Sequence, residues 1–221
     1  MEHVYSSLTQ RAVTVYKKSV GDAGQCRIII AFAGPPGSGK STIADQVVQR
    51  INTLFRRPLA ACLAMDGFHY PRAYLDSLPN HIEAHTCRGA AWTFDAGGLE
   101  GRGACRDPCP SFDHKIKDPV PDAIWIEVEI KIIITEGNWV LLDRDPWRQI
   151  QECVDDTWFV DVDPELALHR IARRHLAAGI ENTWAAAVAR AESNDLRNGA
   201  EVRAHLLEPN VWVKSVEIIN T

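Results

Sequence analysis

Residues 27–41 read RIIIAFAGPPGSGKS, and no other stretch restricts the fold as strongly. The run IIIAFA is apolar throughout and closes on glycine. A strand buried on both faces of a parallel sheet has this composition, whereas a strand with one wet face alternates. The next eight residues, GPPGSGKS, fit G-x-x-x-x-G-K-[ST] at every fixed position. A helix is expected from Lys40 to about Leu54. The glycines let successive backbone N–H groups converge on one anion, and the helix N-terminus adds partial positive charge. Gly34, Pro35, Pro36, Gly37, Ser38, Gly39, Lys40, Ser41 and Thr42 are therefore the expected phosphate cradle. Lys40 is expected to reach the β- and γ-phosphates of a nucleoside triphosphate, and the Ser41 hydroxyl to ligate Mg²⁺. A chance glycine-rich turn is the competing reading, and the strand before and helix after it weigh against that.

Further apolar runs predict buried strands at 59–65 (LAACLAM), 131–137 (KIIITEG), 157–162 (TWFVDV) and 211–219 (VWVKSVEII). AIWIEVE (123–129) is a candidate edge strand. Residues 2–19 have helical periodicity, with Val4, Leu8, Ala12 and Val15 on one face. Further helices are expected at about 146–153, 164–178 and 183–207, the last capped by Asn182 and opening its apolar face with Trp184. This alternation implies one α/β domain over 1–221, with a mostly parallel five-stranded sheet and helices on both faces. Residues 66–122 are rich in Pro, Gly, Asp and His. They read as loops and short helices over the carboxyl ends of the strands, where such folds bind ligands.

The chain has 221 residues, a net charge of −5 and six cysteines. An acidic chain carries no electrostatic footprint for nucleic acid. Only Cys105 and Cys109 lie close together, so no zinc set forms and the thiols are expected to be reduced. The N-terminus has no secretory h-region and no segment suits a membrane span. A cytoplasmic protein is expected, and a homodimer stays open.

Three readings compete for Asp66 in MDGFHY: a turn-forming acid before glycine, a Mg²⁺ ligand, or a general base taking the proton of an attacking hydroxyl. The second strand is expected beside the first, which would bring Asp66 to the γ-phosphate and favours the base. Glu136, at the end of IIIT, is the better candidate for holding Mg²⁺ with Ser41; a solvated strand-end carboxylate is its bland alternative. Arg170, Arg173 and Arg174 lie on one helix after the fourth strand. They read either as a solvated basic face or as a lid (about 169–182) bringing cations onto the transferring phosphoryl group. Trp92, Trp139 and Trp147 read as packing residues sooner than stacking platforms, and His81 and His85 as loop histidines.

The stretches GPPGSGKST, MDGFHYPRAYLDSLPN, EAHTCRGAAWTFDA, PSFDHKIKDPV, EGNWVLLD, PWRQI, RRHLAAGI and ESNDLRNG cover residues 28–200. Together they resemble the phosphoribulokinase/uridine kinase/pantothenate kinase family of P-loop kinases, in particular its fructose-transport-system-kinase-like and fungal kinase-like members. The resemblance implies the P-loop NTPase three-layer fold and ATP-dependent phosphoryl transfer to an alcohol of a small metabolite. Asp66 matches the family's catalytic Asp. His69, Asp95, Phe112 and His114 match positions against the acceptor, within an insert of about 66–122. Arg170, Arg173 and Arg174 match the lid. Asn194 and Asp195 fall on the helix after it, towards the adenine or the acceptor. Arg72, Arg88 and Lys115 are candidates for a basic wall to the acceptor pocket. The family pattern carries a helix and a strand between FDA and PSFDH, whereas GGLEGRGACRDPC is short and Gly-rich. Ala91 also stands where the pattern usually has Pro. A nucleotide-dependent ATPase or regulator with a degenerate acceptor site is therefore the alternative function.

Overall fold

The glycine-rich turn lies between strand β1 (Ile28–Ala33) and helix α2 (Lys40–Phe55). The computed structural model describes residues 1–23, 27–100 and 108–217. β1 pairs on one side with β5 (Ile132–Gly137) and on the other with β6 (Asp156–Asp161). The outer strands are β2 (Ala60–Ala64) and β7 (Val211–Lys214), giving the order β2-β5-β1-β6-β7, parallel throughout. This is the expected five-stranded α/β sheet. Alternate residues of β1 face opposite sides: Ile28, Ile30 and Phe32 join one apolar core, Ile29, Ala31 and Ala33 the other. Every residue of β1 and β5 is buried, which is why neither run alternates in sequence.

One expectation about this order is overturned. β2 does not lie beside β1; β5 separates them. Glu136 therefore ends the strand adjacent to the phosphate loop, and Asp66 follows a strand one place further out. The apolar runs mark each strand, although the outer ones, β2 and β7, are only partly buried; strand order is set by which faces the helices cover, a non-local choice.

Helix α1 (Glu2–Ala23) lies against α2 and buries Tyr5, Leu8, Ala12 and Val13, with Val4 and Val15 half-buried at its margin. The face is rotated from the expected one because Arg11 must reach the buried Asp156. Its guanidinium donates at 2.6 and 2.8 Å to the two carboxylate oxygens. The carboxylate also accepts from Trp158 Nε1 at 2.7 Å and Asn210 Nδ2 at 2.9 Å.

The segment after β2 forms 3₁₀ turns at Met65–Phe68 and Ala91–Thr93 and the short helices α3 (Arg72–Asp76), α4 (His81–Thr86) and α5 (Ala96–Leu99). His81 and His85 thus lie on a helix, not in a loop, and His85 pairs with Asp76 at 2.7 Å. A separate antiparallel hairpin follows, β3 (Cys109–Asp113) and β4 (Asp118–Ile124). The edge strand expected at 123–129 is replaced by β4, which ends at Ile124 and pairs only with β3. Pro119 and Pro121 lack amide donors, so β4 is suited to a small two-stranded ribbon. Of the short interval before PSFDH, residues 97–99 belong to α5, while 101–107, including Cys105, lie outside the described residues. So do Cys26 and the end of the expected last strand. Cys62, Cys87 and Cys153 form no disulfide.

The helix expected at 146–153 is a 3₁₀ stretch (Trp147–Cys153) that begins after Pro146. Helix α6 (Pro164–Ala177) starts on Asp163, whose side chain accepts from the backbone of Glu165 and Leu166. The single helix expected at 183–207 is divided into α7 (Trp184–Arg190), a π-helical turn (Ala191–Asp195) and α8 (Leu196–Ala204). Its cap is Thr183, accepting from Ala186 N at 3.2 Å, not Asn182. Trp184 stays largely exposed, so it does not open a buried face. No helix among the described residues is long and apolar enough to cross a membrane.

Candidate phosphate and acceptor site

The phosphate loop closes over itself through Ser38 N donating to Pro35 O at 3.2 Å. Gly37 has φ +78°, and a Cβ there would lie 2.9 Å from the backbone oxygen of Ala167 on α6. A side chain at this position would be strained and would also push α6 away. The Ser38 hydroxyl is fully buried and has no hydrogen-bond partner among the described residues. An orphaned polar atom of this kind in an anion cradle fits a phosphate oxygen.

Two cavities flank the loop. One, of about 270 Å³, is lined by Gly37, Gly39, Lys40, Ser41, Thr42, Arg170, Ile171 and Arg174. The other, of about 210 Å³, shares Gly39, Thr42 and Arg170 and adds Tyr5, Ser215 and Val216 among its walls. Arg170 stands between them. Its Nη1 donates to Gly37 O at 3.0 Å and Ser215 Oγ at 2.8 Å, and its Nη2 to Val216 O at 2.9 Å. The residue expected to act on phosphate is thus also a strut joining α6, the loop and the segment after β7. Arg173 is exposed and lines neither cavity.

Ser41 Oγ donates to Glu136 Oε1 at 2.9 Å. Glu136 is only 6% exposed. Burial pushes its carboxyl above the usual range; Lys40 works against that, while the Asp66 charge adds to it. A hydroxyl and a carboxylate converging at a phosphate loop are hard oxygen donors of the kind Mg²⁺ takes. Among the described residues no cluster of three His, Cys, Asp or Glu forms a metal site. Next to Glu136, Asn138 holds a buried Oδ1 with no partner among the described residues.

Asp66 is exposed at the end of β2, within electrostatic reach of Glu136. The turn that carries it is fixed by close packing. Gly67 meets the hairpin backbone so tightly that a Cβ would lie 2.3 Å from Pro110 O. Next comes His69, whose ring lies 3.9 Å from Phe94 and 4.9 Å from Phe112, centre to centre. Its Nδ1 donates to Asp66 O at 2.8 Å. Burial lowers the His69 pKa, so the neutral ring keeps Nε2 as an acceptor. His114 stacks edge-on to Phe112 at 5.2 Å. The turn, the hairpin and the 94–95 segment thus bring His69, Phe112 and His114 together beside Asp66.

Two other expected site residues have structural duties. Asp95 accepts from Gly98 N at 2.8 Å as the cap of α5, with its side chain still exposed. Arg88 pairs with Asp118 at 2.7 Å and donates to the carbonyls of Lys117 and Tyr70 at 2.6 and 3.2 Å. Its charge is answered, though its buried Nε has no partner among the described residues. Arg72 and Lys115 are exposed. Sequence reasoning missed Asp118 as the counter-charge of Arg88, and missed the roles of two tryptophans. Trp139 Nε1 donates to Gly89 O at 2.9 Å and Trp147 Nε1 to Ala91 O at 3.3 Å, fastening the 89–91 segment to the chain that follows β5. Both rings are buried, as a packing role requires, whereas Trp92 is exposed. Nothing local in the sequence links positions 139 and 89.

No family model matches the chain. Among curated proteins, "Putative uridine kinase C227.14" of Schizosaccharomyces pombe is 35% identical over 221 aligned residues, spanning 97% of this chain and 92% of that protein. The "ATP-dependent kinase-like protein notR'" of Aspergillus versicolor is 41% identical over 148 residues, 62% of this chain and 86% of that one. Among solved structures, a "putative fructose transport system kinase" from Silicibacter sp. TM1040 superposes with a TM-score of 0.81 at 27% identity, covering 94% of this chain and 98% of that one. YFH7 of Saccharomyces cerevisiae shares the fold, with a TM-score of 0.84 at 21% identity over 96% of this chain and 99% of its own.

Proposed function

The chain belongs to the uridine kinase-like P-loop kinases, and we propose that it transfers the γ-phosphoryl group of ATP to a hydroxyl of a small metabolite, a nucleoside, sugar or pantothenate-like alcohol. The observation that carries this reading is the placement of Asp66. It is an exposed carboxylate within electrostatic reach of the Ser41–Glu136 pair, flanked by the His69–Phe94–Phe112 stack. A pure nucleotide switch has no need of an exposed carboxylate set beside an aromatic cluster of this kind. In this reading the 66–122 segment holds the acceptor and residues 169–182 form the lid of one kinase domain.

Asp66 takes the proton of the acceptor hydroxyl as that oxygen attacks the γ-phosphorus in line. Lys40 and the lid arginines Arg170 and Arg174 neutralise charge spreading over the transferred group. Arg173 is the least engaged of the three by position. Ser41 and, directly or through water, Glu136 hold Mg²⁺, which when bound supplies Lewis-acid stabilisation of the phosphate oxygens. His69, Phe112, His114 and Asp95 orient the acceptor, and Arg88 offers its Nε–H. With Arg88 paired to Asp118, a neutral acceptor suits the described residues better than a doubly charged phosphosugar. A relative carries the name of a uridine kinase, and a neutral nucleoside acceptor would agree with that name.

The competing reading, a nucleotide-dependent regulator, is favoured only by the short 97–109 interval. The deciding experiment is acceptor-dependent ADP release with nucleosides, sugars and pantothenate. An increase with one acceptor class supports the kinase. Identical ADP release with every acceptor and with none would refute it.

A further inference from the structure

Of the two lid arginines at the phosphate cradle, Arg174 is the less engaged by the protein. Arg170 makes three hydrogen bonds to the protein. Arg174 lines the same cavity, its side chain 61% exposed, and among the described residues it meets the acceptor Asp195 through a long Nη2–Oδ1 contact of 3.5 Å. A long, exposed arginine side chain has many rotamers, and only some of them reach a phosphate.

Asp195, by contrast, is well fixed. Its side chain is 17% exposed, and its other oxygen, Oδ2, lies 3.4 Å from Nε2 of the buried His175, one residue beyond Arg174 on α6. It ends the π-helical turn Ala191–Asp195, a geometry that occurs mostly as single turns and often at functional sites. The residue before it, Asn194, donates to Arg88 O at 3.4 Å and accepts from Asn198 Nδ2 at 3.4 Å. One turn on, Gly199 lies so near the phosphate loop that a Cβ would stand 3.2 Å from Pro35 Cβ. The turn that carries Asp195 is therefore tied to the acceptor segment and to the cradle. The groups facing the carboxylate are Arg174 and His175 from α6 and Arg190 from its own helix. Burial lowers the His175 pKa, so His175 is neutral near neutral pH and the answering charges are arginines.

We propose that Asp195 is a positioning residue that aims Arg174 at the terminal phosphate, with the π-helical turn setting its place. This assignment rests on the kinase reading and adds a role to a residue that the sequence placed near the adenine or the acceptor. Asp195 touches no reacting atom; it narrows the rotamers of a cation that does.

The test compares the affinities of AMP-PNP and ADP, which differ by the terminal phosphate, and needs no acceptor. Wild type is expected to bind AMP-PNP more tightly than ADP. Asp195→Asn should shrink that ratio by about twofold to fivefold, the effect of one partly exposed ion pair. Arg174→Ala should shrink it by a similar factor, and the double variant no further, because both act through one guanidinium. Asp195→Ser is read in the same way if the amide fails to fold. A role in stability alone would lower the Tm and leave the ratio intact, and that result overturns the proposal. Full additivity of the two substitutions, or equal affinities in the wild type, also overturns it. Binding of neither nucleotide by folded wild type would refute the kinase reading itself, and the proposal with it.

Discussion

Gly67→Ala is the substitution that best isolates the acceptor side of the site from the phosphate side. A Cβ built on Gly67 lies 2.3 Å from Pro110 O, 2.8 Å from Pro110 C and 3.3 Å from Ser111 Cα. All three are backbone atoms of the hairpin strand β3, so no side chain can rotate away. Real Cβ contacts essentially never fall below 3.0 Å, so the turn and the hairpin must part by at least about 0.7 Å. Forced repacking of this size costs ~1–3 kcal/mol. The same displacement separates Asp66 and His69 from Phe112, which rides on β3 two residues from Pro110. A misplacement near 1 Å in a positioned reaction can cost ~100-fold in rate. The phosphate loop lies on β1 and α2 and should be undisturbed. The expected outcome is a Tm lowered by several degrees, AMP-PNP affinity within twofold of wild type by calorimetry, and acceptor-dependent ADP release reduced about 10- to 100-fold. A variant with the same loss of stability and unchanged transfer would refute the claim that the hairpin shapes the acceptor pocket.

Asp66→Asn should remove nearly all transfer, by ~100-fold or more, with nucleotide affinity retained; wild-type turnover would eliminate Asp66 as the base. Glu136→Gln should raise the Mg²⁺ concentration needed for half-maximal turnover by ~10-fold or more, and an unshifted Mg²⁺ titration would show that Glu136 does not hold the cation. Asp156→Ala should cost ~3 kcal/mol in urea unfolding, because it strands the buried Trp158 N–H and releases Arg11 of α1. The pH dependence of that contribution has a definite sign. Burial acts to raise the Asp156 pKa, but the hydrogen bonds from Arg11, Trp158 and Asn210 prevail and hold it below its ordinary value. The stabilisation is therefore complete above the unfolded-state pKa of about 4 and is lost as pH falls through the lower folded value. Acid unfolding monitored by tryptophan fluorescence should show a shallower dependence below pH 4 in the variant; equal slopes would contradict the assignment.

The residues that make the phosphate cradle could be read from the chain because everything they need is local. An apolar run, glycines at the turn and a helix after it place N–H groups, Lys40 and Ser41 within one short span, whatever surrounds them. The carboxylates after the strands were legible for the same reason: an acid closing an apolar run emerges at the carboxyl end of a strand, as Glu136 does on β5 and Asp66 after β2. Pairing between strands was not legible. β2 and β5 are equally apolar, and only the packing of helices on both faces decided that β5, with Glu136, lies against the phosphate strand and that Asp66 stands one strand further out. Arg88 reads as a free cation in sequence and is paired with Asp118 because the hairpin folds back over the turn. The tryptophans that fasten Gly89 and Ala91 lie about 50 residues away in the chain, a separation no periodicity records. Helical periodicity also ran through 183–207 without marking the π turn, since one extra residue in a turn hardly changes the pattern. That turn settled which residue faces Arg174. The sequence by itself determined the nucleotide cradle and the strand-end acids, since those follow from short-range geometry. The tertiary structure alone decided which of the charged residues remain unpaired around them, because each pairing joins segments that meet only when the sheet is assembled.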